Sequence, residues 1–559
     1  MTKYIFVVGG VLSGVGKGTS VAAIAKILKE YGFNVTAIKI DPYINYDAGT
    51  LRPTEHGEVW VTENGGETDQ DLGIYERFLG ENIPKSNNIT TGQIYKSLIE
   101  KERAGFFLGK TVQFIPHVIE EIKSRIVEVS NSFEIAVIEI GGTVGDYENI
   151  PFLLAAKALE RELGGKNVIY VLVSYLPVPL NIKEPKTKPT QHSIRMLLEH
   201  GIFPDFVLCR SHEALDEVRK KKIEQFLNIP KEKIISAPDV LNIYSIPLNF
   251  EKEGLGKKIL EELQLEPKQQ PNWSLWKNLV ENMENAKEEV NVAIVGKYLD
   301  IGGYQLQDSY VSVRESILHA SAHLKVKPNI FWIDSKNLEK RESVSQLSHY
   351  HGIIIPGGFG IAGTKGKINA IEYARKNKIP FLGLCFGLQL AVVEFARNVC
   401  GLEADSTEID PNTKHPVIDL LPYQKELLEK NQYGATMRLG SYPAKIKENT
   451  IVFELYDFFG KLKKEGNFFY VTERHRHRYE VNPLYHNILK ENGLVFSGIH
   501  VRADGTELIE FIELPREEHP FFVATQAHPE FKSTFENPAP LFYGFLKACI
   551  DYKNSKPRI

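Results

Sequence analysis

A cysteine set between two glycines carries the strongest chemical signal in the sequence. Cys385 lies in Phe381-Leu-Gly-Leu-Cys-Phe-Gly-Leu-Gln389, with Gly383 and Gly387 two positions away on either side. That spacing permits a sharp strand-to-helix turn that lifts one side chain out of the fold as a nucleophile. Far downstream, Ala527-His-Pro-Glu-Phe531 offers His528 as a base and Glu530 as the carboxylate that orients it. Pro529 excludes a helix there, and an extended path would turn His528 and Glu530 to one side. Acyl transfer also needs donors for a developing oxyanion. The N–H of Phe386 and the Gly357-Gly358 turn within Pro356–Gly360 are on offer. A lone cysteine is ordinarily a small buried hydrophobe; this combination points instead to a thiol hydrolase. Arg474-His-Arg-His-Arg-Tyr479 alternates with period two, which predicts a strand with Arg474, Arg476 and Arg478 on one face, suited to a substrate carboxylate.

A second chemistry opens the chain. Gly9-Gly-Val-Leu-Ser-Gly-Val-Gly-Lys-Gly-Thr19 follows an apolar run and opens a helical pattern. Its backbone N–H groups and the helix N-terminus would cradle phosphates, with Lys17 as a point charge. The loop departs from the usual phosphate-loop pattern, since Val11 stands where the first glycine belongs and Gly18 replaces the hydroxyl residue. Mg2+ takes one or two carboxylates beside phosphates and water. Asp71, in Glu67-Thr-Asp-Gln-Asp71, and Glu139, which ends an apolar run and must find a partner or face a cleft, are the candidates. Lys183-Glu-Pro-Lys-Thr-Lys-Pro-Thr-Gln-His192 holds three lysines and two prolines, so it reads as an extended loop presenting cations and hydroxyls to an anion. Taken alone it is a charged surface loop.

Elements that position these residues follow from hydrophobic periodicity. Ile5–Val8, Val35–Ile40, Ile135–Ile140, Val168–Val173 and Phe206–Cys209 read as buried strands, and Val21, Ile24, Ala25 and Leu28 as one helical face. The alternation predicts a doubly wound parallel sheet with ligands at its carboxyl edge. Prolines near 267–271 interrupt the pattern; Trp276, Leu279, Val280 and Met283 then mark an amphipathic helix, and Val290–Val295 and Ile353–Ile355 start a second α/β domain. The expected domains are 1–266, a linker over 267–289, 290–549 and a tail over 550–559. The chain of 559 residues carries a net charge of −4, which leaves no basic footprint for nucleic acid or an anionic membrane. Four scattered cysteines suggest a reducing cytoplasm, and no apolar stretch reaches membrane-spanning length.

Taken together, the motifs resemble two families. The second domain resembles class I glutamine amidotransferases through Gly383–Gly387, Gly357-Gly358 and His528-Pro-Glu530. The first carries Lys39-Ile-Asp-Pro-Tyr-Ile-Asn45, His56-Gly-Glu58, Glu139–Asp146 and Lys186–Ser193, and the whole resembles the CTP synthase family, with a phosphate loop like that of dethiobiotin synthetase-like enzymes. The resemblance implies a ligase of pyrimidine biosynthesis that aminates UTP to CTP with ATP, Mg2+ and glutamine, without an organic cofactor. It implies ATP binding by Gly14, Val15, Gly16, Lys17, Gly18, Thr19 and Asp71, with Lys39 also facing the transferred phosphoryl group, and Mg2+ binding by Asp71 and Glu139. UTP or CTP would meet Ser13, Asp146, Tyr147, Glu148, Lys186, Thr187, Lys188, Pro189, Thr190, Gln191 and Lys222. Cys385, His528 and Glu530 would form the triad, with Gly358, Phe386, Gly387, Leu388, Gln389, Glu408 and Arg478 around glutamine. GTP activation, CTP inhibition, a homotetramer and passage of ammonia between the domains are further implications. Three rivals explain less: an amidotransferase of the cobyrinic acid kind leaves Lys186–Ser193 idle, a partitioning-type ATPase leaves the thiol group idle, and a thiol peptidase leaves the N-terminal half idle.

Overall fold

The computed structural model describes residues 1–52, 56–181, 184–297, 300–301, 304–305, 307–358, 360–422, 424 and 437–556. Lys183 and Phe359, which fall in motifs singled out above, lie outside the described residues. Two compact units partition the chain. One comprises Met1–Leu51 with Glu67–Val280, the other Arg52–Gly66 with Glu281–Ile559. The second unit therefore takes in a short N-terminal segment that sequence periodicity assigns to the first domain.

In the first unit, β1 (Lys3–Gly10), β2 (Val35–Asp41), β3 (Asn88–Thr90), β4 (Ile135–Ile140), β5 (Val168–Tyr175), β6 (Phe206–Ser211) and β7 (Ile234–Pro238) form one sheet in the order β3-β2-β4-β1-β5-β6-β7. All of its pairings are parallel. Its inner strands are runs of β-branched and aromatic residues rather than alternating ones, as a sheet covered on both faces requires. Phe6, Ile38, Ile138, Phe152 and Leu172 anchor the core on one of these faces. The short β3 and the late β7 escaped the sequence reading. Helix α1 (Lys17–Glu30) starts directly after the glycine loop, and Val21, Ile24, Ala25 and Leu28 are all buried. Helix α2 is Asp71–Leu79. The expected extended loop of lysines and prolines is a correction: helix α3 runs over Lys188–Glu199. Pro189 sits in its first turn, where its missing N–H would have no helical acceptor in any case.

Helix α4 (Ser274–Asn285) buries Trp276, Leu279 and Val280, and the unit boundary falls within it. In the second unit a mixed sheet holds β8 (Glu288–Gly296), β9 (Val326–Asp334), β10 (Gly352–Ile355), β11 (Phe381–Leu384), β12 (Arg438–Ile446), β13 (Lys463–Glu465), β14 (Phe468–His477), β15 (Val495–Val501), β16 (Glu507–Glu513) and β17 (Phe522–Thr525). Their order is β9-β8-β10-β11-β17-β16-β15-β12-β14-β13. The run from β9 to β17 is parallel, and an antiparallel extension follows it. Helix α5 (Phe386–Asn398) covers one face and α6 (Pro540–Ser555) the other, each with its own apolar core.

Candidate functional site

The thiol site sits at the carboxyl ends of β11 and β17. Cys385 follows β11 directly and adopts φ 51°, ψ −101°, a strained backbone for a residue with a Cβ. The flanking glycines serve a different purpose from the one the sequence suggests. Neither has positive φ. A Cβ on Gly387 would lie 2.2 Å from the Ile355 carbonyl oxygen, and one on Gly383 would lie 2.8 Å from the Ala524 Cβ and 3.0 Å from the Gly387 backbone. They allow strand and helix to close on each other, which forces the strain onto Cys385.

His528 and Glu530 do meet, although not along an extended path. Pro529 opens a 3-10 turn over Pro529–Lys532, and His528 precedes it at φ −116°, ψ 75°. Across that turn His528 Nδ1 lies 2.7 Å from Glu530 Oε1. Burial works to lower the basicity of His528, but the charges of Glu530 and Cys385 more than offset it, pushing its pKa up to about 10. A protonated imidazole beside a thiol is the arrangement that activates a cysteine nucleophile. A Cβ at Gly357 would meet His528 Cε1 at 2.9 Å and the Cys385 Cβ at 3.7 Å, so the glycine turn abuts these two side chains and leaves no room for a larger residue.

The residues expected around glutamine gather here. Glu408 Oε1 accepts from the Gly360 N–H at 2.7 Å, and Lys297 Nζ donates to the Gly360 carbonyl at 3.2 Å. Burial pushes Glu408 up, while Lys297 and Arg478 pull it back. Gln389 donates to the Tyr479 carbonyl at 3.0 Å. The expected arginine strand is met only in part: β14 ends at His477 and leaves Arg478 on the bend after it, and Arg474 is fully buried in ion pairing whereas Arg476 and Arg478 are half-buried. Sequence reasoning missed Lys297 and Lys367. Lys367 is wholly buried, its Nζ has no hydrogen-bond partner among the described residues, and it stands 5.3 Å from the Phe386 ring centroid. Nothing in its local sequence distinguishes it from a surface lysine.

In the first unit the phosphate loop caps α1. Gly14 and Gly16 have φ of 73° and 91°, and Val11 is held at φ 80° where a glycine would fit without strain. Lys17 is buried and donates to the Gly142 carbonyl at 2.9 Å. A Cβ at Gly18 would fall 2.3 Å from Asp71 Oδ1, so glycine here brings Asp71 against the loop. Thr19 Oγ1 donates to the Gly16 carbonyl at 3.0 Å. Glu139 finds its partner in Lys39, whose Nζ donates to Glu139 Oε1 at 2.9 Å and also bonds Asp71. Asp41 and Asp69 stand 3.8 and 3.9 Å from the same ammonium. Burial is the first cause that raises Asp41, Asp69 and Glu139.

The expected nucleotide-base residues lie at the carboxyl edge of the same sheet. Asp146 accepts from the Thr143 N–H at 2.6 Å, while Tyr147 is 88% exposed. Gln191 donates to Thr187 Oγ1 at 3.2 Å, and Thr190 shares a 2.7 Å hydroxyl contact with Ser174. Lys222 and Lys186 flank one carboxylate, Glu184, at 2.8 and 3.6 Å. Ser13 and Lys188 are exposed at the loop and at the start of α3.

A strained thiol with a His–Glu pair, in a chain that also holds a phosphate-loop sheet, defines an amidotransferase coupled to nucleotide chemistry. Residues 3–265 match the family described as CTP synthase N-terminus, and residues 305–548 that described as Glutamine amidotransferase class-I. The CTP synthase of Pyrococcus furiosus is 51% identical over 557 residues, covering 100% of this chain and 99% of that protein. The CTP synthase of Methanocaldococcus jannaschii is 50% identical over 558 residues, covering 99% of each. Among solved structures, the glutaminase domain of Trypanosoma brucei CTPS with bound acivicin is 35% identical, covers 48% of this chain and 96% of that one, and gives a TM-score of 0.41. The chain belongs to the CTP synthase family.

Proposed function

We propose that the protein is a ligase that aminates UTP to CTP at the expense of ATP, with glutamine as the nitrogen source. The observation that carries this reading is the His528–Glu530 contact at 2.7 Å beside the strained Cys385, in a chain whose full length matches CTP synthases. Residues 1–266 form the synthetase part and 290–549 the glutaminase part in this reading.

At the thiol site the Cys385 sulfur attacks the glutamine carboxamide carbon, with the Phe386 N–H and the Gly357-Gly358 turn facing the oxyanion. The C–N bond breaks, His528 gives its proton to the leaving nitrogen, and ammonia departs. Water then attacks the thioester with His528 as base, and glutamate leaves. Glu530 holds the imidazole. Glu408 and Arg478 orient the amino-acid end of glutamine, with Gly358, Gly387, Leu388 and Gln389 shaping its pocket. In the first unit, Gly14–Thr19 hold the ATP phosphates, and Lys17 and Lys39 neutralise charge on the phosphoryl group as it passes to O4 of UTP. Ammonia adds at C4 and phosphate leaves. Ser13, Asp146, Tyr147, Glu148, Lys186–Gln191 and Lys222 are the proposed UTP and CTP contacts.

The donor set around Lys39 fits Mg2+. Four carboxylates surround the Lys39 ammonium, with Lys17 acting on three of them, and burial raises Asp41, Asp69 and Glu139. Among the described residues no group of three or more His, Cys, Asp or Glu forms a cage, and Mg2+ bound through phosphates asks for none. Asp71 and Glu139 would hold the ion, which supplies charge neutralisation at the phosphates. Family resemblance further supports GTP as activator, CTP as inhibitor and a homotetramer as the working form, which sedimentation would establish. Among the described residues no helix is long and apolar enough to cross a membrane.

Purified protein with ATP, Mg2+, UTP and ammonium chloride at mildly alkaline pH tests the reading, followed by absorbance. CTP accumulation is expected; ATP hydrolysis without CTP would remove UTP as the acceptor.

A further inference from the structure

Residues 52–66 lie in sequence between two stretches of the first unit, yet they belong to the second. Their side chains lead to the catalytic dyad by two separate routes. Trp60 is 1% exposed, and its ring packs edge-on against Phe531 at 5.0 Å. Phe531 in turn lies parallel to the His528 imidazole, with centroids 5.1 Å apart and planes 19° from each other. On the second route, Glu63 Oε2 accepts from Arg474 Nε at 3.2 Å, and Arg474 Nη1 donates to the Val61 carbonyl at 3.0 Å. The Arg474 carbonyl then accepts the His528 backbone N–H at 2.7 Å. Both routes therefore end on the same residue, one on its ring and one on its backbone.

Other contacts fix the segment itself. Glu63 also pairs with Lys532 at 3.3 Å, and its carbonyl accepts from the Ser441 N–H at 3.1 Å. A Cβ at Gly440 would sit 2.7 Å from the Gly65 nitrogen, so the two backbones touch with no side chain between them. Arg474 is fully buried with its guanidinium carbon 5.3 Å from the Trp60 ring centroid. A buried guanidinium of this kind keeps its place only while its acceptors are present.

We infer that Trp60 and Glu63 are positioning residues of the glutaminase, holding His528 through Phe531 and Arg474 in line with Cys385 and Glu530. The inference rests on the proposed triad. It assigns to a segment encoded within the synthetase half a role in glutamine hydrolysis, without contact to glutamine. An imidazole freed from these supports moves away from Glu530 and Cys385, and with them it loses the charges that hold it protonated. Small displacements of a catalytic group cost rate more than binding.

The test uses the full chain and the variants Trp60→Ala, Trp60→Phe, Glu63→Gln and Cys385→Ser. Glutamate release from glutamine is measured across pH in the presence of ATP and UTP, alongside CTP formation from ammonium chloride. For Trp60→Ala the turnover of glutamine should fall roughly 10- to 100-fold with KM changed by less than about 3-fold. The alkaline limb of kcat/KM, which follows loss of the His528 proton, should move to lower pH than in wild type. Trp60→Phe should restore most of the turnover, Glu63→Gln should show the same shift to a smaller extent, and the ammonia-dependent rate should stand. Wild-type turnover and pH profile in both Trp60→Ala and Glu63→Gln, with Cys385→Ser inactive, would overturn the inference and leave the triad intact. An equal fall in the ammonia-dependent rate would overturn it as well, since the segment would then serve general integrity. Should Trp60→Ala fail to fold, Glu63→Gln decides by the same limb. Glutamate release by Cys385→Ser would instead refute the triad itself.

Discussion

Replacing Lys39 by methionine removes an ammonium shared by Asp41, Asp69, Asp71 and Glu139. The Nζ lies 2.9 Å from Glu139 and 3.8 and 3.9 Å from Asp41 and Asp69, with Asp71 in direct contact. Burial disfavours the ammonium, yet the four carboxylates more than offset it and hold its pKa well above the usual lysine value. At an effective dielectric near 20, each pair at such distances is worth about 4 kcal/mol of attraction, most of it offset by desolvation. Removing one partner of a buried ion pair costs about 3–5 kcal/mol net, because the remaining charges stay buried. At roughly 2–4 °C per kcal/mol for a unit of this size, the first thermal transition should fall by about 6–20 °C. The sign of the pH dependence follows from the carboxylates. Asp41, Asp69 and Glu139 already have raised folded pKa values, and loss of Lys39 raises them further, so the penalty grows as pH rises above the ordinary carboxylate range. Calorimetry on wild type and Lys39→Met at pH 5.5 and pH 8, with chelator and with added Mg2+, reads all of this. A larger deficit at pH 8, narrowed by Mg2+, is expected. Coincident transitions at both pH values would refute the charge-sharing account.

Further outcomes follow from the glutaminase side. Gly387→Ala drives a Cβ to within 2.2 Å of a backbone oxygen that cannot yield, so glutamine-dependent activity should collapse and the second unit lose about 1–3 kcal/mol, read by denaturant unfolding. His528 has its pKa raised from the ordinary 6.5 to about 10, so its stabilising contribution is complete below 6.5 and is lost as pH rises through about 10. The second unit's melting temperature should fall across that window, and His528→Gln should flatten the fall. Burial, and then Lys297, lower Lys367 to about 7, so wild type bears a penalty that is largest below pH 7 and vanishes near 10.5. Lys367→Met should therefore be more stable than wild type at pH 6, by a few kcal/mol on the order expected for such a shift, and equal to it near pH 10.5.

Local signals made most of this architecture legible. The apolar runs that became β1, β2, β4, β5 and β6 are long and fully buried, so periodicity alone placed them. The three-residue β3 gives no such signal. Lys183–His192 reads as extended because its prolines are weighed as helix breakers, whereas a first-turn proline starts the helix at Lys188. Cys385, His528 and Glu530 were legible because strained turns need particular neighbours. Lys367 was not, since its burial is decided by strands and helices distant in sequence. Trp60 and Glu63 were missed for the same reason: their partners Phe531 and Arg474 lie more than 400 positions away.

The most direct test of the central claim is CTP formation by Cys385→Ala with two nitrogen sources. With glutamine, ATP, Mg2+ and UTP the variant should form no CTP, and with ammonium chloride in place of glutamine it should form CTP at the wild-type rate. CTP from glutamine in the variant, or no CTP from ammonia in either protein, would contradict the account.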